Sequence, residues 1–369
     1  MRQSSFDKWL VTLAMLVVIA GAVLHFIKSN RHAHEQRQPR TGARPVASGS
    51  KDEVFHPYYI PSAPGTTKAW PESDAAGFET IPREKVEAWL TRHHRSAMSL
   101  LAAFRALNDT NYLNEAATNL PNSPQIELAV LAHDEFPADR RKWLELFKAS
   151  SPGNSLANYL SAQDYFKNGN TDAAVQELLA ATGKSQFDNF ETESRLDAEA
   201  LYLYAGKSRI ESGRASLADV NVDVAPEMTT FKQLATEMGD LQKQQLAAGD
   251  ASSAANLARM GVALGNQLTS GDSGKYIINQ LVGIADENIV LAQLDPNTSC
   301  DFLGGQTPAQ VLQQLKDQKK SYRELVRQFS AAYPSLTEEE MASYVQRSQI
   351  YGETQAMRWV VQQHPPGNP

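Results

Sequence analysis

Two short stretches, Gly183-Lys184-Ser185 and Gly206-Lys207-Ser208, carry the glycine, lysine and hydroxyl that end a phosphate-binding loop. Such a loop also needs a glycine five residues earlier, so that successive backbone N–H groups can wrap a phosphate. Leu178 and Leu201 stand there, inside apolar-periodic stretches, so both read as helix ends or surface turns. His93 and His94 are adjacent on a helical stretch and point about 100° apart, which places them poorly for sharing one metal ion. His133-Asp134-Glu135 lies near a helix end, too close in sequence to converge on one point. Glu338, Glu339 and Glu340 open a helix, where carboxylates favour the positive end of the dipole. There is no HExxH, CxxC or GxSxG, and the one cysteine, Cys300, cannot form an intramolecular disulfide. It reads as a small apolar residue. No pair of carboxylates stands out as an acid/base couple, although one assembled from distant helices stays open. No catalytic, cofactor or metal residue is therefore assigned, and catalysis is not expected.

Hydrophobic residues make up 42% and charged residues 21% of the chain, ordinary values for a protein that buries a core. The net charge of −7 and pI near 5.7 disfavour a general nucleic-acid binder, which usually shows a basic face. No nucleic-acid partner is expected, and no small-molecule substrate is identified.

The elements that position these residues read as helices throughout. In residues 152–181, Leu156, Tyr159, Leu160, Gln163 and Phe166 recur at three- and four-residue spacing, which lines one helix face. Asn154 or Ser155 can cap that helix, and Gly169-Asn170 stops it. Thr171 or Asp172 can cap the next helix, whose apolar side is Ala174, Val175, Leu178 and Leu179. Ala162 and Ala174 flank Gly169, Tyr165 precedes it by four residues, and Ala181 completes a set of small residues. This arrangement resembles a tetratricopeptide-repeat hairpin, with Gln186 where that pattern has a later proline. Residues 121–150 can be laid over the hairpin with an offset of about 31 to 33, near the repeat's period of about 34. A third, looser copy surrounds Gly249, five residues before Ala254. The resemblance implies an irregular, all-α solenoid of αα-hairpins that binds a protein or peptide partner through a concave surface. An ordinary αα-hairpin in a non-repetitive bundle is the other reading. Asn158, Gln163 and Lys167 are the polar residues expected to line such a groove.

In chain order, residues 1–8 form a short basic N-terminus. Residues 9–27 (WLVTLAMLVVIAGAVLHFI) are almost uninterruptedly apolar and span about 28 Å as a helix, enough for a bilayer's hydrocarbon core. Ala20-Gly21-Ala22 suits a cleaved signal peptide, but the apolar run continues past it to Ile27. A single transmembrane helix over 9–28, contacting the lipid bilayer, is expected. Lys28, Arg31, Arg37, Arg40 and Arg44 argue for a cytoplasmic domain, whereas a short basic N-terminus before one apolar segment argues for export. The expectation leans toward a single-pass membrane protein with its soluble domain extracytoplasmic.

Residues 29–80 are rich in Pro, Ser and Gly and read as a linker. Its aromatic stretch VFHPYYI is expected to pack on the folded domain, with partner binding as the other reading. A tetratricopeptide-like helical domain is expected over 81–300, beginning with one helix over 82–107. Gly213 is expected to end a helix over 196–210, and 221–226, with Pro226, reads as an irregular connector. A helical pair over 301–363 is expected to cap the solenoid. Its first helix starts at Thr307-Pro308, and a Ser335/Glu338 capping box starts its second. Residues 364–369 are expected to be disordered. The leading reading is a membrane-anchored helical-repeat scaffold for a protein or peptide partner. The alternative is a structural or oligomerisation protein using the long helix after Pro308, and the third is an all-helical enzyme without a recognisable motif.

Overall fold

Every regular element among the described residues is an α-helix or a short 3-10 turn; a single parallel bridge, Asn154 to Gln186, is the extended exception. The computed structural model describes residues 81–365, without the side chains of residues 221–226. The all-α expectation holds for these residues. In order the helices are α1 (Arg83–Arg92), α2 (Ala97–Leu107), α3 (Thr110–Asn119), α4 (Pro124–His133) and α5 (Arg140–Ser150). Then come α6 (Leu156–Lys167), α7 (Thr171–Thr182), α8 (Glu191–Tyr204), α9 (Arg209–Ala247) and α10 (Ala251–Leu268). The last four are α11 (Ile277–Leu291), α12 (Pro308–Ala332), α13 (Glu338–Tyr351) and α14 (Glu353–Gln363).

Neighbours in sequence are mostly neighbours in space: α6 packs on α7, α8 on α9, α9 on α10, α10 on α11 and α13 on α14. Helix α8 also packs back on α2 and α12 on α14, and α9 departs furthest from this local order, touching α2, α4, α6, α11 and α13. It is the spine of the molecule. One apolar core cluster gathers Val86, Leu90, Leu101, Phe104 and Leu113 from the first three helices with Leu201 of α8 and Ala215 of α9.

Several boundaries differ from those read in the sequence. The single helix expected over 82–107 is broken after Arg92, because His94 and Arg95 take positive φ and Ser96 caps α2 through the Ser99 N–H. Asn170, rather than Thr171 or Asp172, caps α7 by accepting from the Ala173 N–H. The expected connector at 221–226 is helical, and α9 runs through Pro226 for 39 residues. Burial of Val220, Met228 and Phe231 on either side outweighs the one backbone hydrogen bond that a proline removes. Gly213 does not end a helix; it lies inside α9, where a Cβ would come within 2.6 Å of Val345 Cγ1. The capping box before α13 is Thr337 with Glu340, not Ser335 with Glu338. The last helix is split at Gly352, which has φ of 90°. At the C-terminus, His364 is held by Glu340 at 2.9 Å.

The expected membrane-spanning helix over 9–28 lies outside the described residues, as do the short N-terminus, the linker over 29–80 and residues 366–369. None of the described helices is long and apolar enough to cross a membrane. Their two longest, α9 and α12, carry charged residues along their lengths. The expected single-pass membrane location is corrected accordingly and is not carried further.

The tightest packing joins α10 to α11. A Cβ on Gly265 would meet Glu287 Oε1 at 2.7 Å and the Gly283 carbonyl oxygen at 2.9 Å. Because that carbonyl belongs to helix backbone, it cannot swing aside. Gly265→Ala is expected to lower stability by about 1–3 kcal/mol, read from the midpoint of a urea unfolding curve. An unchanged midpoint would show that the two helices separate without penalty.

Candidate functional site

Arg195 is the centre of a charged cluster buried between three helices. Its guanidinium pairs with Glu191 one turn earlier on α8, lies 4.0 Å from Glu353 at the start of α14, and sits 4.2 Å above the ring of Tyr276. Glu191, Arg195 and Glu353 are all buried, at 2%, 3% and 5% exposure, so none is held in place by bulk water. Glu353 also accepts a hydrogen bond from the Ile277 N–H at 3.0 Å, placing a carboxylate at the positive end of α11. The Tyr276 hydroxyl shares a 3.0 Å hydrogen bond with Thr192. Burial pushes the Glu191 carboxyl upward against the opposing pull of Arg195. Burial likewise pushes the Tyr276 hydroxyl up to about 12.

Glu191 also faces a narrow cleft between α2, α4, α8 and α9. Arg105, Gln125, Asn189, Ser194 and Glu227 line it, and its interior has room for about one water molecule. Asn189 donates to Glu227 across it at 3.5 Å. A small-molecule site usually encloses about 300–1,000 Å³, so this cleft suits a bridging water between the charges.

The candidate site itself consists of exposed apolar side chains on α8 and at the end of α13, joined by one side-chain hydrogen bond. The Gln349 amide donates to the Glu199 carboxylate and ties α13 to α8, while Arg195 with Glu353 ties α8 to α14. Leu196 and Leu203 stand one turn before and after Glu199, while Ile350 and Tyr351 follow Gln349. All four are exposed, with Ile350 at 53% and Tyr351 at 60%. Tyr204 extends the surface toward α1, with its ring 5.5 Å from Trp89 and beneath Arg92 at 6.0 Å. Gly352 lets the chain turn at this point, with the Lys275 carbonyl oxygen 2.8 Å from where a Cβ would sit. Large exposed side chains flanking a fixed polar pair are what a protein contact uses: burial of apolar area with a directional hydrogen bond inside it.

The three residues expected to line a groove do not come together. Asn158 is buried and donates to Glu177 Oε2 at 2.6 Å, joining a network in which Glu177 also takes Lys148 and Ser161. Gln163 is buried on another side of α6, with Gln233 of α9 at 3.5 Å. Lys167 is exposed at the end of α6. Of the three, Gln163 is the one that faces the spine helix α9, which packs on α6.

Among the other residues singled out, Gly183 ends α7 and Gly206 forms the turn after α8. His93 ends α1 with its ring 3.6 Å from that of Trp89. Cys300 is half-buried with its thiol pushed upward by burial and by Asp301 and Asp295. Among the described residues no group of His, Cys, Asp and Glu is placed to hold a metal ion.

Sequence reading missed Asp286 and Glu287 on α11. Asp286 is fully buried, neither of its oxygens has a hydrogen-bond partner, and its carboxyl is pushed well above the usual carboxylate range by burial and by Glu287. Burial raises Glu287 to about 7. Two adjacent carboxylates in a helix with no other charged residue were the available signal.

No family model, curated protein or solved structure matches the chain.

Proposed function

We propose that the chain is a helical-repeat scaffold that binds a protein or peptide partner, with the α8–α13 surface as its contact site. The observation that carries this reading is the set of exposed Leu196, Leu203, Ile350 and Tyr351 around the Glu199–Gln349 hydrogen bond, backed by a buried ionic cluster. Such a surface loses less freedom on binding, because α8 is tied to α13 by Gln349 and to α14 by Glu353. The repeat component is supported by the α6–α7 hairpin: Ala162, Ala174 and Ala181 are fully buried, and Gly169 turns with φ of 73°. Successive helices of the tetratricopeptide type pack through such small residues. Because Asn158 and Gln163 are buried within the chain, the reading assigns partner binding to the α8–α13 surface.

The test places a photocrosslinking amino acid at Tyr351 in the full chain, and at exposed Asp172 as a distant control, in the native cell. Crosslinks from 351 to a distinct protein, absent from 172, are the expected result. Crosslinks from 351 only to a second copy of the chain would replace the scaffold by an assembly role. Equal crosslinking at both positions, or none at 351, would overturn the site.

A further inference from the structure

Helix α12 turns its apolar stripe inward: Leu315, Leu325 and Phe329 are buried, and the helix packs on α11 and α14. That stripe was the sequence's candidate for oligomerisation, and the chain itself covers it. At about 100° per residue, Lys316, Lys320, Arg323 and Arg327 fall on one line on the opposite side. Their spacing of four, three and four residues gives a row about 16 Å long. All four are exposed. Lys316, Lys320 and Arg323 make no hydrogen bond or ion pair with any described residue, whereas Arg327 is held by Glu324 at 2.6 Å. Asp317 and Glu324, seven residues apart, form a parallel acidic row beside the basic one. The Gln313 amide steadies Asp317 at 3.0 Å.

We infer that this face of α12 docks an acidic α-helical segment of a protein partner. The inference rests on the scaffold reading and names the partner's chemistry at a second surface. Two observations favour a helix as the occupant. The basic row repeats with the three-and-four spacing that a facing helix shows in its own side chains, so carboxylates at the same spacing meet each cation. The acidic row at its edge repels a phosphate polymer, yet pairs with lysines flanking the acidic stripe of a polypeptide. The chain's net charge of −7 gives no long-range attraction for an anionic partner of any kind, so this row acts at contact distance. Opposite charges in matched rows set partner choice and orientation more than raw affinity.

The test uses fluorescence anisotropy with the full chain and a labelled helical peptide carrying glutamates at positions spaced four, three and four apart, with lysines along one flank. Expected is saturable binding that weakens at least tenfold between about 50 and 300 mM salt, as exposed charge pairs are screened. The charge-reversed variant Lys316→Glu/Lys320→Glu/Arg323→Glu should bind at least tenfold more weakly, with an unchanged circular dichroism spectrum because all three side chains are exposed. A peptide of equal composition with scrambled spacing should also lose tenfold. Equal binding of the scrambled peptide, or equal competition by single-stranded RNA or anionic vesicles, would overturn the helix-specific surface. No binding by the matched peptide at low salt would overturn it too. None of these outcomes touches crosslinking from Tyr351, so the scaffold reading stands or falls separately.

Discussion

Arg195→Met is expected to lower the unfolding free energy by about 3–5 kcal/mol, a loss read from urea denaturation at pH 7. Removing the cation takes the Arg195 charge from beside Glu191 and Glu353 in the interior, where each is 5% exposed or less. Bulk water cannot take over. The companion Arg195→Met/Glu191→Leu variant should recover a large part of the loss, because a buried ion pair replaced by apolar groups of similar volume is often neutral or better. The pH dependence has a fixed sign. Burial already raises the Glu191 carboxyl, and losing Arg195 raises it further. A carboxyl raised in the folded state holds its proton while the unfolded chain has lost it, so stability falls as pH rises above the unfolded value. The single variant should therefore lose more at pH 8 than at pH 5. A loss under about 1 kcal/mol at both pH values would mean that water reaches the cluster. The same substitution bears on the binding surface, since Arg195 precedes Leu196 and its partner Glu353 lies two residues beyond Tyr351. A variant that keeps its stability yet loses crosslinking from 351 would reveal a direct role for Arg195 in the contact.

Elements whose local signals agreed were read correctly. The α6–α7 hairpin shows both apolar periodicity and a glycine with φ of 73° between its helices. Helix α12 starts where Thr307 and Gln310 form a capping box and Pro308 occupies the first turn. Failures occurred where a local signal met a stronger tertiary one. Pro226 and the Asn/Asp-rich residues before it read as a break, yet α9 continues because both of its halves are packed. That one misreading propagated. Without α9 as a spine, Asn158 and Gln163 look like groove residues; with it, Gln163 faces Gln233, and Asn158 is taken up by Glu177. The break at His94 was equally hidden, since the apolar period runs straight through it and only Ser96 hints at a new start. The candidate site left almost no trace in the sequence. Glu191 and Arg195 are four apart, but on an exposed helix the same spacing is an ordinary surface pair worth a few tenths of a kcal/mol. What makes it a clamp is Glu353 and Tyr276, brought from other helices by packing that no spacing encodes.

Asp286→Asn should raise the melting temperature at pH 8 and flatten its dependence on pH. Asp286 is enclosed by α9 and α11; Lys232 on α9 pulls its carboxyl down, but burial and the neighbouring Glu287 push it up more strongly. Below the unfolded value near 3.8 the proton is bound in both states, and the carboxyl carries no ionic penalty. As pH rises past that value the unfolded chain releases the proton and the folded chain retains it, so folding stability declines. Glu287 adds a decline of the same sign between 4.5 and about 7. The wild-type chain should thus lose stability on going from pH 5 to pH 8, with both carboxyls contributing. Asparagine keeps the shape and removes ionisation at one of the two positions, although its amide still lacks partners in the interior. The gain should therefore be present at pH 8 and close to zero at pH 4, read by thermal unfolding at several pH values. In the same series Glu287→Gln should remove only the part of the slope below about 7. Parallel pH profiles for wild type and Asp286→Asn would show that water or Lys232 already compensates the charge, and that α9 and α11 pack more loosely around it than the buried carboxylate implies.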